Sequence, residues 1–286
     1  MVNQRILLAV LAHPDDESFG TGGTLALYAH NGAKVYLVCA TRGEVGEMDP
    51  KHMEGYSTIA ERREAELRCA AEKLGLTEVF FLNYRDSGMP GSPDNTHPDA
   101  LAFQPQAKVA ADVVHYIRLL KPQVVITFDP IGGYRHPDHI AIQKATTSAF
   151  HDASKHLPSP DGLPPFQASK LYYHTFPRTF LRIMVKLMPL FGQNPRQLGT
   201  NKDIDMVSIA QENFPIHADI DFGPVAKIRE EASACHASQG GGGFASGGLM
   251  GLLRRIFMSK EQYMLASPTP RPSDKRVNDL FAGIGV

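Results

Sequence analysis

The stretch Ile6-Leu7-Leu8-Ala9-Val10-Leu11, followed at once by Ala12-His13-Pro14-Asp15-Asp16-Glu17, decides how this chain is read. A short continuous apolar run of this kind is the pattern of a strand buried on both faces. A strand that ends in His, Asp, Asp and Glu delivers metal-binding and proton-transfer groups together at one edge of a sheet. A second apolar run, Val124-Val125-Ile126-Thr127-Phe128, leads to His136-Pro137-Asp138-His139. Two acid and imidazole clusters at two strand ends read as the two halves of one metal-dependent hydrolytic site.

The segments around these runs alternate between strand and helix patterns. Strands are expected at 5–12, 34–41, 78–83 and 123–129, and helices at about 18–31, 57–74, 105–120 and 138–153. Parallel strands need long crossovers, so the alternation predicts an α/β, Rossmann-like fold: a mostly parallel sheet with helices on both faces. Open sheets of this type bind ligands beyond the carboxyl ends of their strands. All four strands end in reactive residues there: His13 to Glu17, then Arg42 and Glu44, then Asp86, then Asp129 leading to His136 and His139. Over the whole chain we expect one α/β domain, 1–286, with 1–155 as the metal-site half and 156–286 as a divergent half that shapes the substrate pocket.

In that second half the signal weakens. Residues 170–176 (KLYYHTF) predict a further strand, and 224–237 a helix ending in the flexible Gly-rich run that begins at Gly240. Residues 178–191, rich in Phe, Leu, Ile and Met, predict a helix with an apolar face. Core or subunit packing is the simple account of such a stripe, with a substrate-entrance lid or a membrane contact as alternatives. An exposed face there would favour a homo-oligomer.

The chain has 286 residues, 43% of them hydrophobic, and a formal net charge of -1, which gives no electrostatic case for nucleic acid or an anionic membrane as partner. No stretch approaches the ~18 apolar residues of a membrane span. The N-terminal run leads into His13-Pro14-Asp15-Asp16 and not into a small-residue cleavage site. Cys39, Cys69 and Cys235 show no metal or redox spacing and read as buried, reduced thiols, which fits a cytoplasmic protein.

Catalytic zinc commonly takes three ligands from His and carboxylates and leaves one position for water, whose pKa falls toward ~7. His13 and Asp16 from the first loop and His139 from the second supply that set, with Zn2+ favoured and Fe2+ compatible. Asp15 is then the adjacent carboxylate free to act as base. Hydrolysis of an amide also needs a proton donor and a partner for the developing oxyanion, for which His136 and Tyr134 are the candidates. Asp138 is placed to orient the His136 imidazole and favour its charged form.

Two other motifs carry less. His97-Pro98-Asp99 lies in a Pro/Asn/Asp-rich stretch and reads as a turn. Gly20-Thr21-Gly22-Gly23 hints at a dinucleotide fingerprint but lacks the Gly at position 25 that the pattern requires, so close helix packing explains it better. Most of the other nine histidines, including His30, His115, His151 and His156, read as surface or helix residues.

These residues resemble the PIG-L/LmbE-like N-acetylglucosaminyl deacetylases, zinc-dependent enzymes with a Rossmann-like fold. The resemblance rests on AHPDDE at 12–17, GTGGT at 20–24, TRGE at 41–44, the helix from Arg62 to Gly75, Tyr84-Arg85-Asp86 and GGYRHPDH at 132–139. It covers roughly the first half of the chain, with HASQ at 236–239 also similar. It implies the ligand set and base named above, with His136 as oxyanion partner or acid and Tyr134 a mobile contributor. Arg63 is similar to the family's substrate-binding arginine, with an ion pair to a strand-end acid as the alternative. Arg42, Glu44, Asp86 and Arg135 complete the candidates for binding substrate. Arg135 pointing into the cleft would favour an anionic substrate. Glu17 is expected to cap the following helix or support the ligands.

The expected activity is therefore hydrolysis of the N-acetyl amide of a small amino-sugar conjugate. An amidase for a larger acyl group is the near alternative, and a sugar-binding protein without catalysis the distant one.

Overall fold

The computed structural model describes residues 4–156, 161–176, 178–198, 204–241 and 259–285. The apolar run forms β1 (Ile6–Leu11), whose side chains from Leu7 onward are buried. After it come the short helix α1 (Asp16–Phe19), then α2 (Gly22–His30), β2 (Lys34–Cys39), α3 (Ile59–Leu74), β3 (Glu78–Phe81), α4 (Gln106–Leu120) and β4 (Val124–Phe128). A single irregular turn, α5 (Gly132–Arg135), precedes α6 (Pro137–Asp152). The second half adds β5 (Lys170–Thr175), α7 (Arg178–Leu187), α8 (Met206–Gln211), β6 (Ala218–Asp221), α9 (Ala226–Cys235) and β7 (Lys260–Ser267).

The seven strands form one sheet in the order β3-β2-β1-β4-β5-β7-β6. The first five are parallel, while β7 runs antiparallel to both β5 and β6. From β1 the chain builds outward through β2 and β3, then returns to place β4 on the other side of β1, with Leu7 opposite Val124 and Ala9 opposite Ile126. Right-handed crossovers in opposite directions put their helices on opposite faces. Accordingly α4 packs with α6, while α2, α3 and α9 pack together. The point between β1 and β4 is where the strand order reverses, and ligands of such sheets bind there.

Local signals account for the elements. Thr58 accepts from the Glu61 N–H while the Glu61 carboxylate accepts from the Thr58 N–H, a reciprocal cap that starts α3. The run 18–31 divides into α1 and α2, so the glycine-rich stretch begins a helix instead of binding phosphate. A Cβ at Gly23 would lie 2.2 Å from the Phe222 ring. The start of α2 is filled by the Glu261 carboxylate of β7, which accepts from the N–H groups of Gly23 (2.9 Å) and Thr24 (2.8 Å).

One expectation fails and another narrows. Cys69 and Cys235 are disulfide-bonded, 166 residues apart in sequence, because α3 and α9 lie side by side with these Cα atoms 5.9 Å apart. Only Cys39 is a buried free thiol, so the cysteines no longer argue for a reducing compartment. Among the described side chains of 178–191, Ile183 is 51%, Leu190 78% and Phe191 79% exposed while Met188 is buried, so this row is not core and subunit packing is the part of the simple account that fits it. Of the Gly-rich run 240–248, residues 242–248 lie outside the described residues. Among the described residues no helix is long and apolar enough to cross a membrane.

Candidate active site

Both loops of the switch point converge on His13. Its Nδ1 lies 3.2 Å from His139 Nε2 and 3.7 Å from Asp16 Oδ2, while Asp16 Oδ1 is 3.4 Å from His139 Nε2. The opposite nitrogens of the two rings are engaged. His13 Nε2 meets Asp138 Oδ2 at 3.1 Å and Asp86 Oδ1 at 3.5 Å, and His139 Nδ1 meets the Gly132 carbonyl at 3.2 Å. Acceptors on those sides hold the N–H there and leave the lone pairs of Nδ1 and Nε2 facing each other, next to a carboxylate. Two imidazole nitrogens at that separation share a cation: without metal it is the second proton that the surrounding carboxylates keep on His13, and in its place the donor set fits a divalent metal. Two overlapping trios, His13–His136–His139 and His13–Asp86–Asp138, bring one donor atom from each residue within 4.8 Å of one another. The first loses a ligand because His136 Nδ1 accepts from the Asp138 N–H at 3.2 Å. The second uses the His13 nitrogen that its carboxylates hold protonated.

Charge in this pocket follows from its burial. Burial would lower His13, but Asp86, Asp138 and Asp16 outweigh it and hold the metal-free imidazole well above its usual range. Asp15 and Asp16 are pushed up to about 6, mainly by burial, with Arg63 the leading opposing influence on Asp15 and His13 on Asp16. Burial and the neighbouring His13 hold His136 and His139 well below the ordinary imidazole value. Burial would raise Asp86, yet His13 and the Gly88 N–H hold it well below the carboxylate range.

Asp15 sits beside this centre in a strained backbone conformation, φ 125° and ψ -27°. Arg63 Nη2 donates to Asp15 Oδ2 at 3.0 Å and to the Pro14 carbonyl at 2.7 Å, and Nη1 donates to the Gly43 carbonyl at 3.2 Å. Gly43 has φ 68°, and a Cβ there would fall 2.0 Å from Arg63 Nη1, so only glycine lets the guanidinium lie against this loop. Arg63 thus makes the ion pair with a strand-end acid that was the alternative to substrate binding, while still lining the cleft.

That cleft has a volume of about 740 Å³ and is lined by His13, Asp15, Arg63, Asp86, Tyr134 and His136, with the 88–93 loop and Gln239 at its margin. Three of the expected substrate binders are not brought into it. Arg42 turns away to Glu64 (2.5 Å) and Asn83 (2.7 Å) over the Phe81 ring. Glu44 accepts from the Asp86 N–H and faces a neighbouring hollow. Arg135, in the left-handed region at φ 71°, points outward to Glu212 at 2.9 Å, so it supplies no charge for an anionic substrate. Asp138 also differs from expectation. Its carboxylate accepts from Ser87 and contacts His13, so that it orients a candidate metal ligand, while His136 is oriented by the Asp138 backbone N–H and its charged form is not favoured.

Sequence reasoning missed Ser87 and His236. His236 is fully buried and donates from Nε2 to Glu17 at 2.6 Å. The similarity of HASQ at 236–239 was the available signal.

Fold and site together define an open-sheet α/β protein with a His/Asp/His cluster, fit to hold a metal ion, at the switch point of its sheet. The profile of the family described as PIG-L, GlcNAc-PI de-N-acetylase, matches residues 8–150. A 1D-myo-inositol 2-acetamido-2-deoxy-alpha-D-glucopyranoside deacetylase of Acidothermus cellulolyticus is 36% identical over 99% of this chain and 96% of its own length. Among solved structures, N,N'-diacetylchitobiose deacetylase from Pyrococcus horikoshii superimposes with a TM-score of 0.58 at 20% identity, covering 92% of this chain and 84% of its own. The 4-carboxy-2-hydroxymuconate hydratase GalB from Pseudomonas putida KT2440 has the same TM-score, 0.58, at 19% identity over 94% of this chain and 98% of its own. The fold alone therefore hosts more than one reaction. The length and identity of the sequence match settle the matter: the chain belongs to the PIG-L de-N-acetylase family.

Proposed function

We propose that this protein hydrolyses the N-acetyl amide of a small N-acetylglucosamine conjugate, a GlcNAc-inositol foremost, with a zinc ion held by His13, Asp16 and His139. The observation that carries the reading is the pair of imidazole nitrogens facing each other at 3.2 Å beside the Asp16 carboxylate. The substrate class is supported by the name of the Acidothermus relative, which matches along 99% of the chain.

When bound, the ion supplies Lewis acidity toward water and the amide carbonyl. Asp15, aimed by Arg63, takes the proton from the attacking water as its oxygen bonds to the amide carbon. His136 accepts from the Asp138 N–H at Nδ1, so its proton sits on Nε2, where it donates to the oxyanion that develops. Tyr134, whose phenol burial keeps protonated, stands beside it as a second donor. The C–N bond then breaks, the amine leaves with the proton Asp15 took, and acetate remains. Asp86, at the cleft wall, is placed to accept from sugar hydroxyls.

One observation favours a second reading, an amidase for a longer acyl group. A cavity of 140 Å³ behind Asp15, Asp16 and His139 is lined by Leu11, Phe19, Phe128 and Phe176. Fluorogenic detection of primary amine from zinc-loaded and chelated protein tests both. N-acetylglucosamine, its inositol conjugate, diacetylchitobiose and an N-butyryl analogue form the panel. Zinc-dependent amine release, fastest with the inositol acetamide, is expected. Preference for the butyryl compound establishes the second reading, and no amine from any compound with zinc bound overturns both. His139→Ala should lose its zinc on dialysis, and retained zinc would remove His139 from the ligand set.

A further inference from the structure

The base is held by more than Arg63. The strained Asp15 peptide donates its N–H to Glu17 Oε2 at 3.0 Å. Glu17, fully buried, uses its other oxygen to accept from Ser18 Oγ at 2.5 Å and from His236 Nε2 at 2.6 Å. His236 arrives from the far end of the chain and is fixed from every side. Cys235, directly before it, is bonded to Cys69 of α3. Ser238, two residues on, donates twice to Glu66 of the same helix, from N at 3.0 Å and from Oγ at 2.6 Å. The Phe19 ring meets its face edge-on at 5.7 Å between centroids.

Stability alone does not account for this arrangement. Among the described residues His236 Nδ1 is buried without a hydrogen-bond partner, and a buried charged pair in an apolar surround commonly contributes little net stability. A non-glycine residue at positive φ, by contrast, persists only where its surroundings over-determine it. Resting on the reading of Asp15 as the base, we propose that His236 is a positioning residue. Its hydrogen bond fixes the Glu17 carboxylate, which in turn holds the Asp15 peptide in the conformation that aims the catalytic carboxyl. His236 touches neither substrate nor metal ligand. Its contribution is the placement of Asp15.

The test compares His236→Phe, which keeps a ring but no donor, with His236→Gln, whose amide nitrogen can reach Glu17. Misplacing a catalytic group by about 1 Å costs up to ~100-fold in rate. His236→Phe should therefore lose about 10–100-fold in kcat with KM and zinc content near parental, and His236→Gln should restore most of the loss. Parental kcat in His236→Phe overturns the proposal, as does equal impairment of the two variants or a change confined to KM. If His236→Phe does not fold, a cycle of Glu17→Gln, His236→Ala and their double variant decides. Residues acting through one contact are non-additive, so the double variant should be no slower than Glu17→Gln alone, and full additivity overturns the proposal. Asp15→Asn serves as the control for the underlying reading. If it turns over at the parental rate, the base assignment falls and takes this proposal with it. If it is inactive while His236→Phe is unimpaired, only the proposal falls.

Discussion

The two halves of this molecule build the site in different ways. Residues 4–156 contribute four parallel strands, and the reacting groups follow the strand ends: His13 and Asp15 directly after β1, His136 and His139 after β4 across the turn α5. Among the described residues of the second half there are one parallel and two antiparallel strands and no candidate metal ligand. Yet that half supplies Glu261 to the start of α2, His236 to Glu17 and Gln239 to the cleft margin. The difference teaches that the reacting groups are local to a strand end, whereas what holds them still comes from distant chain. The family profile, which matches 8–150, follows the first of these and not the second.

The largest expected effect breaks the first half alone. Asp15→Asn removes the base while keeping size and the Arg63 contact at one oxygen. General-base catalysis is worth about 10²–10⁴-fold, so turnover should fall by that range with zinc content and melting temperature little changed. Steady-state kinetics beside metal analysis reads it out, and near-parental turnover would move the base elsewhere in the cleft.

The second effect falls on the joint between the halves. Cys69–Cys235 ties α3, which carries Arg63, to α9, which leads into His236. Cys235→Ser should lower unfolding free energy by about 2–4 kcal/mol, seen as a fall of several degrees in melting temperature. Addition of dithiol to the parent should reproduce it. A parent insensitive to dithiol and a variant of unchanged stability would mean that packing of α3 on α9 suffices without the bond.

These contacts also mark where the sequence could be read and where it could not. β1 and β4 were legible because a run of buried apolar residues and the polar loop after it are contiguous, whereas their pairing, set by long-range packing, is seen only in the fold. Asp138 was half read: it does orient His136, but through its backbone N–H, while the fold brings His13 and Ser87 to its carboxylate across more than 50 residues. The disulfide and the His236–Glu17 contact span 166 and 219 residues, and no spacing rule reaches that far. β6 is only four residues, Ala218–Asp221, too short for its alternation to stand out. Arg135 looked like a cleft residue from its neighbours Tyr134 and His136, but its positive φ turns the side chain outward.

A smaller effect is expected from pH. Asp15 must be ionised to accept a proton, and burial pushes its carboxyl up to about 6 in the metal-free site. The rate therefore rises with pH as this group loses its proton. A cation among His13, Asp16 and His139 favours the ionised form, so the acid limb of kcat/KM in the zinc enzyme should lie at or below pH 6. A limb well above that value would assign it to a different group.

The smallest effect should come from the exposed row after α7, and it sharpens the comparison most directly. Leu190 and Phe191 are 78% and 79% exposed, so in the isolated chain neither buries the area that makes a core leucine or phenylalanine worth about 1.5–3 kcal/mol. Leu190→Ser with Phe191→Ser should shift unfolding free energy by no more than about 0.5 kcal/mol and leave kcat/KM within about twofold. In the first half a polar residue at Leu8, which is fully buried, should by contrast prevent stable folding. If the serine pair instead costs stability that depends on protein concentration, the row is covered by a second copy of the chain. In that event the second half would be held by assembly as well as by its sheet and its tie to α3.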